Sequence, residues 1–313
     1  MLIYIEPKSS FTLISSDTLY GALVNTLQIL SEDFNDILPE LMKNPPFLIS
    51  SAFPFVQNQE INHFYPKPLL PNNRSTSLNI DNIKKYKTAK YIHESVFSKI
   101  ISGELEENRL IETIDNYDIE GGLLYPKDLK LNFDIGLLDT SRNSLNRITY
   151  FSNLFFSSGY NYKNVGLFFI IRFLNSDFQN KYSELLKGCF RFLSDRGLGG
   201  DVSVGKGHFD ILDIRDEEII NEPPDGNRFV SLSNYMPTLE EVELYQKNDD
   251  LCYELYTKRG RDSSGRIRKK VRFFREGSTF PELNKNVYGK ATYVDDKAVE
   301  IGYSFNVRMR ELI

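Results

Sequence analysis

The sequence predicts an α+β protein with a ferredoxin-like (RRM-like) first unit that carries a long insertion, followed by a second unit of short strands. Three observations predict it. A strand–helix–strand pattern opens the 313-residue chain. A second such pattern fills residues 165–214, after a stretch of weak periodicity. The run Glu222-Pro-Pro-Asp-Gly226 then reads as a linker before a further set of short strand patterns. This order of elements is that of split βαβ units, and the length suits about two domains. The first unit is placed at 1–220, with its insertion at about 55–145, and the second at 225–313.

Residues 1–5 are apolar and β-rich, a first strand. Asp17 is a good N-cap, and from Thr18 the residues Leu19, Ala22, Leu23, Leu27 and Leu30 repeat at helical spacing. Residues 47–54 read as a strand that runs into Pro54. Residues 69–146 are the least legible, although 84–101 carries a helical pattern; Lys84, Lys85, Lys87 and Lys90 there read as a solvated face. Residues 148–158 and 165–174 are expected as strands around a turn at 159–164, which contains Gly159. Phe178, Tyr182, Leu185, Leu186, Cys189, Phe190 and Leu193 mark one apolar face of a helix over 177–195, and a strand is expected over 208–214. Past the linker, 228–235, 252–257 and 270–274 read as strands. Thr238 and Glu241 form a capping box at a helix start.

Between the helix and the strand of the second pattern lies Arg196-Gly-Leu-Gly-Gly-Asp-Val-Ser-Val-Gly-Lys-Gly-His208. It holds Gly197, Gly199, Gly200, Gly205 and Gly207, out of 19 glycines in the chain. Such density serves a tight loop that another molecule's backbone must approach closely. The run Gly200-x4-Gly205-Lys206 is one residue short of a Walker A motif, since Gly207 stands where a Ser or Thr hydroxyl is needed. A Walker loop also precedes its helix, whereas this one follows it. The spacing misses the GxGxxG dinucleotide fingerprint as well, so no nucleotide cofactor is expected.

Net charge is −5, which argues against a protein that coats nucleic acid indiscriminately. The distribution is uneven. Residues 258–275 hold nine basic residues against Asp262, a local +8 that leaves −13 for the rest. Lys258, Arg259, Arg261, Arg268 and Lys270 in this strip, with a basic turn at 260–266, form a candidate polyanion site. Phe273 and Phe274 lie inside it, one of them on the core side of a strand. Beside the glycine loop, Arg196 and Lys206 add charge, and main-chain amides such as those near Ser203 can meet phosphates. Two cysteines, Cys189 and Cys252, cannot make a metal cluster alone, and a reduced, cytoplasmic protein is expected. Asp249-Asp250 and Asp295-Asp296 read as surface turns, not a metal site. No membrane span and no signal peptide are expected. Among His63, His93 and His208, His208 is placed where a general base for RNA cleavage could sit; a packed or hydrogen-bonded histidine is the competing reading.

Gly197-Leu-Gly-Gly-Asp-Val-Ser-Val-Gly-Lys-Gly207 resembles, at every glycine, the signature loop of the RAMP superfamily of CRISPR effector proteins. Ser16-Asp-Thr-Leu-Tyr-Gly-Ala22 resembles that family's entry into its first helix, and Asn146-Arg147-Ile-Thr149 its Asp-Arg-x-Thr segment. Ser51-Ala-Phe-Pro54 and Tyr65-Pro-Lys-Pro68 resemble the Cas5-like subunits of type III-A (Csm) complexes, with Tyr65 in place of Phe. Phe274-Arg-Glu-Gly-Ser-Thr-Phe280 and Glu300-Ile-Gly-Tyr-Ser-Phe305 resemble segments of the family's second domain. The resemblance implies two tandem ferredoxin-like (RRM-like) domains, the first with the long insertion, in a non-catalytic subunit that holds the 5′ handle of a crRNA, flanked by the large polymerase and nuclease subunit and by the backbone RAMP subunit. It adds Ser16, Lys67 and Arg147 to the expected RNA contacts. The alternative it leaves is a metal-independent endoribonuclease acting through His208 on repeat RNA.

Overall fold

The structure, a computed structural model, describes residues 1–11, 14–71, 78–247, 250–260, 268–294 and 298–311. The chain opens with β1 (Leu2–Pro7), α1 (Ser16–Leu30), α2 (Phe34–Lys43), β2 (Phe47–Ile49) and β3 (Phe53–Gln57). Next come β4 (Ile61–Pro66), α3 (Ile80–Thr88), β5 (Tyr91–His93), α4 (Glu94–Ile101), α5 (Glu107–Glu112), β6 (Tyr117–Glu120) and β7 (Leu123–Pro126). A long hairpin, β8 (Asp134–Leu145) and β9 (Ser152–Lys163), leads into β10 (Gly166–Phe173), α6 (Ser176–Arg196) and β11 (Phe209–Arg215). The remainder is β12 (Arg228–Ser231), α7 (Leu239–Tyr245), β13 (Leu255–Lys258), β14 (Val271–Phe274), β15 (Thr279–Pro281), β16 (Gly289–Tyr293), β17 (Val299–Tyr303) and β18 (Asn306–Met309).

The main sheet runs β11–β1–β10–β3–β4–β5–β7–β6, with β2 also paired to β10. Its first strands are antiparallel neighbours, β1 between β10 and β11. Helices α1 and α6 pack on each other, and α6 lies against β10 and β11. The faces that meet are apolar: Leu19, Leu23 and Leu27 on α1, and Leu186, Cys189, Phe190 and Leu193 on α6. Asn175 caps α6 by accepting from the amides of Asp177 and Phe178. Residues 61–126 lengthen this same sheet, through β4, β5, β7 and β6.

The C-terminal strands form a three-stranded sheet, β15–β12–β18, and two hairpins, β13–β14 and β16–β17. Phe229, Tyr235, Tyr245, Phe280 and Tyr288 make a local core there. The larger core runs through both parts, since Leu232, Ile301, Tyr303 and Val307 cluster with Leu2, Leu23 and Phe53. Among the described residues no helix is long and apolar enough to cross a membrane.

Four local expectations are corrected by tertiary contacts. The strand over 47–54 splits at 50–52, because Ser51 N donates to Leu232 O (2.8 Å) and Ala52 N to Ile14 O (2.9 Å). The helix over 84–101 is interrupted by β5, whose Tyr91 and Ile92 pair with Leu123 and Leu124. Residues 159–163 are strand rather than turn, and Gly159 marks a close approach, since a Cβ there would lie 2.1 Å from Ser10 Oγ. The reversal falls instead at 146–151, where Asn146 Oδ1 accepts from the amides of Ile148 and Thr149. Finally, the N-cap of α1 is Ser15, and Asp17 lies buried inside the first turn.

Candidate nucleic-acid interface

The glycine loop begins where α6 stops. Gly197 takes φ +89°, which ends the helix. Leu198 turns inward, 3 % exposed, and its amide donates to Gly207 O (2.9 Å). Gly207 in turn has φ +76°, and a Cβ on it would meet Leu198 O at 2.1 Å. The base of the loop is therefore closed by backbone contact that demands glycine. Between these pins, Gly199 to Asp201 and Ser203 to Gly205 form an exposed crest.

The crest differs from the base. Gly200 has no φ in the left-handed region, and a Cβ added to it would meet nothing within 4 Å. Among the described residues the amides of Gly199 and Gly200 make no hydrogen bond. Two donors thus stand open beside a position with no side chain. Gly199 and Gly200 line a groove of about 1310 Å³, which also takes in Arg196, the exposed side of α1 from Thr18 to Ile29, Lys258, Arg268 and Glu300. The structure thus brings the glycine loop and one end of the basic strip, far apart in sequence, to a single groove.

Several expected contact residues occupy other settings. Lys206 is 7 % exposed, and its ammonium donates to Ser157 O (3.1 Å) and Ser157 Oγ (2.8 Å) on the β8–β9 hairpin. Asp201 joins it there, paired with Arg142 (3.3 Å) and accepting from Ser157 Oγ. These groups hold the hairpin to the back of the loop. Ser16 is buried, its Oγ accepting from Asn234 N (2.9 Å). Lys258 lines the groove but sits 2.6 Å from Asp17 Oδ2 and 2.9 Å from Glu300 Oε2. Burial alone would lower its ammonium pKa; the two carboxylates outweigh that and raise it. The main-chain N–H of Arg268 donates to Gly260 O (2.9 Å), which places Arg268 at the groove. Arg259 and Lys270 are exposed, and Arg147 lies at the tip of the β8–β9 arm. Lys67 donates to Tyr86 O (3.1 Å) in an adjoining pocket. Arg261, Asp249 and Asp295-Asp296 lie outside the described residues.

His208 donates through its amide to Ser9 Oγ (3.0 Å), while its carbonyl accepts from Lys8 N. Sequence reading missed the α1 wall of the groove. One signal was available: Gly21 in mid-helix costs about 1 kcal/mol relative to Ala, and the structure gives it no packing contact and places it in the groove.

No protein-family model matches the chain. The helix-to-strand order around the glycine loop is the context in which the sequence resemblance placed it. The chain is similar to "CRISPR system Cms protein Csm4" of Thermococcus onnurineus (strain NA1), 25% identical over 277 residues that cover 87% of this chain and 83% of the relative. Among solved structures it is similar to a chain of the Csm3–Csm4 subcomplex of the type III-A CRISPR-Cas interference complex, with TM-score 0.70, 17% identity and 99% of each chain covered. It is also similar to a chain of the Csm1–Csm4 cassette in complex with pppApA, with TM-score 0.58, 17% identity and coverage of 100% and 98%. These last two likenesses are of fold.

Proposed function

We propose that this chain is the crRNA-binding cap of a type III-A effector, gripping the 5′ handle in the groove beneath the glycine loop. Its role is to position RNA between the large polymerase and nuclease subunit and the backbone RAMP subunit, in the cytoplasm, without turnover. The observation that carries this reading is Gly200: its backbone and packing accept a side chain, yet the position is bare, its amide is unbonded and it lines a groove. Main-chain donors on a loop without side chains fit phosphates. Arg196, exposed at the end of α6, supplies a charge at the same lip. The relatives, named as Csm4 and found with Csm3 or Csm1, support a place among subunits. So does the β8–β9 arm, whose Leu137, Leu154 and Phe156 share one face and are 63–67% exposed.

The test compares crRNA with and without its 5′ handle by fluorescence anisotropy. Gly200→Asp places bulk and negative charge where a phosphate would lie, and loses at least about tenfold in affinity for the handle-bearing RNA, while the thermal midpoint stays unchanged. Unchanged affinity in that variant removes the loop from the site.

A further inference from the structure

A second pocket, of about 450 Å³, adjoins the groove, since Ser15 and Tyr256 line both. Two segments far apart in sequence build it: 66–69, from the Pro-Lys-Pro run, and 275–279, from the Arg-Glu-Gly-Ser run. They are stapled by main chain. Leu69 N donates to Gly277 O (2.8 Å), and Thr279 Oγ1 donates to Leu69 O (2.6 Å). Gly277 holds φ +89°, and a Cβ there would stand 2.8 Å from Lys67 O, so this crossing requires glycine.

Two acceptors in the pocket have capacity to spare. The Glu276 carboxylate meets its own main-chain amide but makes no hydrogen bond or ion pair to another described residue, although Arg275 beside it bonds Glu254 (3.1 Å). Burial raises its pKa, against the pull of its own amide and of Arg275. Asn234 also lines the pocket. Its amide nitrogen donates to Asp17 Oδ1 (2.8 Å), while its Oδ1 is buried with no partner. Lys67, Lys90 and Arg275 stand around these acceptors, with the rings of Tyr91 and Tyr256. The pocket therefore asks for a flat ligand with donors on one edge and anionic character beyond it. A lysine or arginine side chain from a partner meets the first demand but is repelled by three cations. A nucleotide meets both, and the volume falls within the usual range for small-ligand pockets, about 300–1,000 Å³.

We propose that this pocket takes one base of the bound single-stranded RNA, and that the base is guanine, read through its N1–H and N2–H by Glu276. Guanine carries two adjacent donors on its Watson–Crick edge, matched to the two oxygens of one carboxylate. Adenine and cytosine offer one amino donor beside a ring acceptor, and uracil one donor between two acceptors, so each sets a lone pair against Glu276. Tyrosine faces supply stacking, as in other single-strand readers. The inference rests on the proposal that the groove holds RNA.

The test uses the full chain and eight-nucleotide oligouridines with a single guanine moved through each position, read by anisotropy. At one position guanine binds about tenfold tighter than uracil, inosine, which lacks the N2 amine, loses much of that gain, and Glu276→Gln abolishes it without weakening oligouridine. The inosine result stands on the wild-type chain, so it is independent of how the variant folds. RNA binding with no guanine preference, or with a preference that survives Glu276→Gln, overturns the pocket assignment and leaves the proposed function intact. Loss of partner-subunit assembly in Glu276→Gln, with RNA binding unchanged, gives the pocket to a partner's basic side chain and also overturns it. Failure of every oligonucleotide and of handle-bearing crRNA to bind defeats the proposed function together with this inference.

Discussion

The two walls of the groove are built on opposite terms. On the loop wall, Gly199 and Gly200 carry amides that the fold leaves unbonded. On the facing wall, Lys258 belongs to the basic strip that the sequence marks as a polyanion site, yet Asp17 and Glu300 hold its ammonium. A charge written in the sequence is available to a ligand when nothing internal claims it, and here the uncharged wall is the freer one. Lys258 instead ties β13 to α1 and β17, which fixes how wide the groove opens.

The largest effect that can break this comparison is at Lys258. Lys258→Met leaves two buried carboxylates without their cation, and removal of one partner of a buried pair costs about 3–5 kcal/mol. The expected outcome is a large fall in the denaturation midpoint. Its pH dependence follows from the raised pKa. A base held above its ordinary value contributes stability that is complete below the ordinary lysine pKa and is lost as pH climbs through the raised one. The gap between wild type and Lys258→Met therefore stays constant near neutrality and narrows in strong alkali. A small loss on mutation, with RNA affinity falling sharply, would instead put Lys258 among the ligand contacts.

Within the loop wall the contrast sharpens between Gly207 and Gly200. Gly207→Ala forces a Cβ to 2.1 Å from Leu198 O at φ +76°. Overpacking and a left-handed backbone each cost about 1–3 kcal/mol, so the midpoint drops. Gly200→Ala meets open space and is neutral in stability, within about 0.5 kcal/mol. Thermal melts of the two variants side by side check this; equal losses would mean that the crest is as constrained as the base.

These distinctions mark what the sequence could reveal. Helices α1 and α6 were legible because one face of each is apolar at helical spacing, and α7 because its capping box closes as written, Glu241 N on Thr238 Oγ1 and Thr238 N on Glu241 Oε2. The glycine loop was legible from glycine density alone. The β8 strand was not, since Asp139-Thr-Ser-Arg-Asn-Ser144 belongs to a two-stranded arm exposed on both faces, which leaves no inside–outside alternation to read. The engagement of Lys206 and Lys258 was equally hidden: their partners Ser157, Asp17 and Glu300 are distant in the chain, and pairing of that kind is decided by tertiary contact. Glu276 lay inside a recognised segment, but its lack of a cation partner is a fact of three dimensions.

That last residue gives the smallest effect and the most discriminating sign. An acid whose folded pKa is raised binds its proton more tightly folded than unfolded, so stability falls as pH rises from the ordinary glutamate value through the folded one. At neutral pH Glu276 is thus a burden on the fold. Glu276→Gln, nearly isosteric and uncharged, melts slightly higher than wild type at pH 7. The gap closes toward pH 4, near the ordinary glutamate value of about 4.3, where the wild-type carboxyl is neutral as well. Melts across that range check the sign. A variant less stable than wild type at every pH would show that the carboxylate already serves an internal partner, and a pocket that answers to the fold in that way would have no acceptor left to offer a base.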